Sequence, residues 1–124
     1  MLSWLNAELR RLGKTCLWSW RGFASAWATE KTLRQWTLAN VISVGFAFWL
    51  PLTTTERALI LALGLLLLAA ELINTAIEVV VDYISEDQHP MAAKAKDCGS
   101  ASVALAALAG GVAWAVILWG LWTG

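Results

Sequence analysis

Glu71, Asn74, Glu78 and Asp82 lie in the run ELINTAIEVVVD (residues 71–82), inside a stretch otherwise apolar enough to cross a bilayer. Each charged side chain at the centre of a membrane helix costs roughly 2.5–3.5 kcal/mol even on lenient insertion scales. Such groups persist in hydrocarbon only if they face protein or water and do something there. At about 100° per residue, Glu78 and Asp82 fall within roughly 20° of Glu71, and Asn74 about 60° away. The four share one stripe, flanked by Leu72, Ile73, Ile77, Val79, Val80 and Val81. Carboxylates in that setting suit a hard cation, since Mg²⁺ takes one or two carboxylates plus substrate phosphates. Glu78 is the candidate ligand, with Glu30 a second carboxylate at similar depth. Glu71, a full heptad deeper than Glu78, is beyond reach of the same ion and suits a general base for a hydroxyl presented from the lipid side. Lys96-Asp97 offer a cation for phosphate and an acceptor for a ribose or base. The competing reading is an interhelical polar clamp, but one clamp rarely needs three acids.

No glycine-rich phosphate loop of the Walker or protein-kinase type occurs in the chain. A triphosphate would therefore be held by side chains and a divalent ion. Cys16 and Cys98 have no zinc-binding partners at the right spacing, and both fall near the expected cytoplasmic side, where disulfides rarely persist.

The elements that must position these groups are legible in the composition. Of 124 residues, 59% are hydrophobic and only 15% charged, less charge than a soluble domain of this size carries. Three runs without charge, 36–50, 58–70 and 98–124, can each be extended to the ~20 residues that a spanning helix needs. The expected architecture is all-α and membrane-integral: a surface helix over about 4–29 and spans over about 33–51, 56–85 and 92–122. In the first element Leu5, Leu9, Leu12, Cys16 and Phe23 recur at helical spacing with Trp18, Trp20 and Trp27, interrupted by Arg10, Arg11, Lys14 and Arg21. That pattern suits a helix lying in the headgroup plane, and no cleavable signal peptide is expected. The middle span would be roughly 45 Å long against a hydrocarbon core of ~30 Å, so its Asp82 end should protrude. In the last span Ala106 with Gly110, Ala107 with Gly111 and Ala109 with Ala113 give small residues at four-residue spacing, a packing signal.

Net charge is zero, yet six of the nine basic residues precede the first uncharged run, 36–50. The positive-inside rule puts the N-terminus and the second loop in the cytoplasm and the C-terminus outside. Three spans cannot shield an acidic stripe from lipid on every side, so a homo-oligomer with composite sites is expected.

The motif Glu71-Leu-Ile-Asn74-Thr-Ala-Ile-Glu78, then Asp82, then Lys94-Ala-Lys96-Asp97-Cys-Gly-Ser100-Ala, resembles the signature of the small bacterial integral-membrane diacylglycerol kinases. Trp18-Ser-Trp-Arg-Gly, Ala26-Trp27-Ala-Thr-Glu30 and Leu33-Arg34-Gln35 are similar to that family's surface helix and its entry into the membrane. The resemblance implies a homotrimer with active sites shared between subunits, ATP as phosphoryl donor and Mg²⁺ as cofactor. It implies Glu71 as the general base, and Glu30 and Glu78 as holders of Mg²⁺ on the phosphates. Asn74, Asp82, Asp87, Gln88, His89, Lys96 and Asp97 would line the nucleotide site with Trp18, and Arg11 would reach the phosphates. Trp27, Arg34, Gln35, Trp49, Arg57 and Ser100 would follow the lipid groove. Trp18 stands where the family pattern has a tyrosine, and Ala93 where it has a glycine.

The expected activity is ATP-dependent phosphorylation of diacylglycerol to phosphatidic acid at the cytoplasmic face of a bacterial inner membrane. The related undecaprenol kinases share the core motif and make undecaprenol the rival acceptor. A rival of another class is an oligomeric ion or proton pathway, because intramembrane acids commonly mark one. A conduit, however, wants polar residues through the full depth. The outer half of the middle span and nearly all of the last are apolar.

Overall fold

A computed structural model describes all residues, 1–124. It is all-helical: α1 (Leu2–Thr29), α2 (Lys31–Trp49), α3 (Thr54–Ile84) and α4 (Pro90–Thr123), with no strand. The turns between them are short, and local chemistry sets each one.

Between α1 and α2 a single residue, Glu30, leaves helical geometry (φ −92°, ψ 109°) and serves at once as the end of the first helix and the cap of the second. Its backbone N–H still donates to Ala26 O at 2.7 Å. The Arg34 guanidinium reaches back to the carbonyls of Trp27 and Ala28. A cation there satisfies the free acceptors and complements the negative helix end. Because one residue makes the bend, α2 starts at Lys31 rather than at 33.

The α2–α3 turn, Leu50 to Thr53, begins with extended backbone at Leu50, as the residue before a proline prefers. Thr53 and Glu56 then form a reciprocal capping box: Glu56 N–H donates to Thr53 Oγ1 at 3.2 Å, and Thr53 N–H donates to Glu56 Oε2 at 2.8 Å. Arg57 closes this end. Its Nε donates to Ala47 O at 2.8 Å, its Nη2 to Leu52 O at 3.2 Å, and its guanidinium lies 5.1 Å from the Phe48 ring centroid. Beneath it Ala47, Leu52, Ile60, Ala113 and Ile117 form the main core cluster.

At the other end, His89 caps α4 by accepting from Met91 N–H at 3.1 Å on Nδ1, and Pro90 occupies the first helical position. The helix therefore begins two residues earlier than position 92.

α3 is the axis of the structure: it packs along α4, and α2 lies on it. Two glycines permit the close crossings. A Cβ on Gly64 would collide with Asn40 of α2, and one on Gly99 with Asn74 of α3. Trp114 spans from α4 to α2, its Nε1 donating to Ser43 Oγ at 2.8 Å.

Only 11 of 124 residues are buried, so the chain has almost no interior of its own. Its apolar side chains, among them Leu65, Leu66, Val79, Val80, Leu105 and Val112, face outward. α3 and α4 are the two helices long and apolar enough to cross a membrane. α2, at 19 residues, is long enough but falls short of that standard in hydropathy. The small residues Ala106, Ala107, Gly110 and Gly111 of α4 face α2 and α3 across an open gap, with nothing near a Cβ added at Gly110 or Gly111, whereas Ala113 joins the core cluster.

Candidate functional site

The acidic stripe of α3 meets three different environments along its length. Glu71, the deepest, is 3% exposed and is the one charged residue among the buried ones. Thr32 Oγ1, from the first turn of α2, donates to Glu71 Oε2 at 3.3 Å. The carboxylates of Glu78 and Glu30 lie within electrostatic reach of it.

One turn nearer the loop, Asn74 Nδ2 donates to Glu78 Oε1 at 3.0 Å. That bond fixes the rotation of the Glu78 carboxylate and leaves Oε2 without a protein donor. Asn74 Oδ1 points the other way, to α4, and is buried without a hydrogen-bond partner. Glu30 accepts from Thr29 Oγ1 at 2.8 Å on Oε1. No three His, Cys, Asp or Glu side chains converge into a protein-only metal cage. The donor set of Glu78 and Glu30 nonetheless fits Mg²⁺, which completes its octahedron with phosphate oxygens and water rather than with protein alone.

At the helix end Lys96 of α4 pairs with Asp82 of α3, Nζ to Oδ1 at 2.6 Å. The two border a cleft of about 510 Å³ formed by the α3–α4 turn. Asp82, Asp87, Gln88, His89 and Lys96, all expected in a nucleotide site, line it together. Ser85 and Glu86 line it too and were not singled out in the sequence, although their membership of the same polar turn is a visible signal; Ala93, where the family pattern has a glycine, lines it as well. Ser85 Oγ accepts from Asp87 N–H at 3.0 Å and shapes the turn.

The remaining expected residues are dispersed. Asp97 and Ser100 are exposed on α4, beside the cleft and beside Gly99. Arg11 is ion-paired with Glu8 at 2.8 Å and shares a shallow basic groove of α1 with Trp18, Arg10 and Lys14. That groove contains no residue of the loop cleft, so one chain does not bring Arg11 and Trp18 to it. Trp27 stacks on Phe23 with centroids 5.9 Å apart, and Gln35 is exposed on α2. Arg34 is engaged by the end of α1. Trp49, 77% exposed, and Arg57 flank the α2–α3 turn. Arg57 lies 14 residues from Glu71 on the same helix, about 21 Å at 1.5 Å per residue. Thr32 was missed altogether: it is 39 residues from Glu71 in sequence, and no periodicity relates the two.

Comparison with known proteins gives this arrangement a context. The sequence model of the prokaryotic diacylglycerol kinase family matches residues 17–118. A diacylglycerol kinase of Pseudomonas aeruginosa is 42% identical over 112 residues, covering 90% of this chain and 91% of that protein. A diacylglycerol kinase of Escherichia coli K12 is 36% identical over 109 residues, 88% of this chain and 89% of its own length. One from Haemophilus influenzae is 36% identical over 110 residues. With the family match spanning the acidic stripe, the α3–α4 turn, all of α2 and α3 and most of α4, the chain belongs to the prokaryotic diacylglycerol kinases, a family of membrane lipid kinases.

Proposed function

We propose that this enzyme transfers the γ-phosphoryl group of ATP, with Mg²⁺, to the free hydroxyl of diacylglycerol, giving phosphatidic acid at the cytoplasmic face of a bacterial inner membrane. The observation that carries the reading is the graded stripe of α3. A carboxylate buried in apolar surroundings lies at one level, an oriented carboxylate one to two turns on, and a polar cleft at the helix end.

Glu71 accepts the proton of the lipid hydroxyl. The hydroxyl oxygen bonds to the γ-phosphorus, the bond from that phosphorus to the β–γ bridging oxygen breaks, and ADP leaves. Glu30 and Glu78 would hold the divalent ion, which would supply neutralisation of phosphate charge. The cleft at Asp82, Asp87, Gln88 and His89 receives the nucleotide. Lys96 exchanges its Asp82 partner for phosphate oxygens. Most of the acceleration on this account is positioning and charge stabilisation.

Diacylglycerol rather than undecaprenol is the acceptor favoured by the names of the relatives. α2 serves as a third span, with the N-terminus and the α3–α4 turn cytoplasmic. A homotrimer covers the outward apolar faces and brings α1 of one subunit to the cleft of another. An ion pathway is disfavoured because Ala47, Leu52, Ile60, Ala113 and Ile117 seal the outer end with apolar side chains.

The test is transfer of ³²P from [γ-³²P]ATP to lipid by the purified protein in vesicles holding either acceptor. Label in phosphatidic acid that requires Mg²⁺ supports the reading. Label only in undecaprenyl phosphate, or none in lipid, overturns it.

A further inference from the structure

Gly99 is the one position where α4 backbone lies against a buried, unpartnered polar atom, Asn74 Oδ1. The Asn74 amide is committed on its other side. Nδ2 donates to Glu78 Oε1 at 3.0 Å, and turning the amide over would set its oxygen against that carboxylate. The amide therefore stands edge-on between Glu78 and the backbone of α4, and it fits only because residue 99 lacks a side chain. A Cβ at Gly99 would overlap Asn74 Oδ1 and come within 3.4 Å of Asn74 Cγ and of Ile77 Cδ1.

Resting on the reading of Glu78 as a Mg²⁺ ligand, we propose that Gly99 is a positioning residue for the metal: its missing side chain holds the Asn74 amide in the one rotation that orients the Glu78 carboxylate. Gly99 touches no substrate and acts through Asn74. The atom a Cβ would strike is the far end of a side chain, not backbone, so Asn74 can swing away while the helices keep their crossing. A substitution here then spares the fold and releases Glu78. Alanine is also the better helix former, so nothing local in α4 opposes the change. Loss of a partner that orients a metal ligand typically weakens metal affinity about 10–100-fold.

The experiment is a Mn²⁺ titration of the full-length protein in phosphatidylcholine vesicles with a non-hydrolysable ATP analogue, read as free Mn²⁺ by electron paramagnetic resonance. Thermal denaturation is followed in the same vesicles. Gly99→Ala is expected to weaken Mn²⁺ binding about tenfold or more, with no fall in melting temperature. Asn74→Ala is expected to weaken it similarly, and the double variant to bind no worse than Asn74→Ala, because neighbours acting through one contact are not additive. Wild-type Mn²⁺ affinity in Gly99→Ala overturns the proposal. So does a double variant showing the product of the two single effects, or a Gly99→Ala protein that fails to fold. Glu78→Gln separates the two levels. If it weakens Mn²⁺ binding while Gly99→Ala does not, only the positioning role falls; if it binds Mn²⁺ as wild type does, the metal assignment falls with it.

Discussion

Replacing Glu71 with glutamine removes a proton acceptor and almost nothing else. The side chain is 3% exposed, and its one hydrogen bond comes from Thr32 Oγ1 at 3.3 Å, which a glutamine carbonyl accepts equally well. The amide is nearly isosteric and uncharged, so the crossing of α2 and α3 has no reason to change. A positioned general base contributes about 10²–10⁴-fold, or about 3–5 kcal/mol of barrier. Turnover of Glu71→Gln should fall by that factor. The nucleotide cleft begins at Asp82, 11 residues further along α3, about 16 Å at 1.5 Å per residue. Only the γ-phosphoryl group has to approach Glu71, while the rest of the nucleotide rests on that cleft and on Lys96, so nucleotide affinity should fall far less than turnover. The measurements are initial rates of ³²P transfer to diacylglycerol in vesicles and fluorescence titration with a labelled nucleotide. Turnover near the wild-type rate would refute the base assignment. An equal loss of nucleotide binding would show that Glu71 serves the fold or the phosphate site instead.

Lys96→Met should raise the KM for ATP severalfold and change stability by under about 1 kcal/mol, since its ion pair with Asp82 is half exposed (38% and 55%); paired kinetic and thermal measurements check this. Gly64→Leu forces a side chain into Asn40 and should destabilise by about 1–3 kcal/mol. Much of that loss should return in Asn40→Ala/Gly64→Leu, read by thermal denaturation in detergent. Thr53→Ala breaks the capping box and should cost about 1 kcal/mol, seen in the same assay as a lower melting temperature.

How far the chain could be read before folding depends on the range of the information. The acidic stripe is a property of one helix, because a fixed rotation per residue places Glu71, Asn74, Glu78 and Asp82 on one face whatever packs against them. The Leu-rich first half of α3, the polar turn at residues 85–89 and the break at Glu30 are local in the same sense. The capping box at Thr53 and the His89-Pro90 start of α4 were equally local, yet boundaries set from apolar runs missed them by two residues.

Packing supplied what no period encodes. Thr32 reaches Glu71 across 39 residues, Lys96 finds Asp82 across 14, and the Asn74 amide needs a bare glycine on a different helix. The backbone carbonyls that Arg34 and Arg57 engage at helix ends are likewise set by packing and turn geometry, not by residue order alone. Conversely, the small residues at Gly110 and Gly111 announce a close neighbour that the single chain does not provide. Local geometry along a helix follows from residue order because hydrogen bonds of constant span build it. Which side chains meet between helices follows from crossing angles and close approaches, which exist only once the helices have packed.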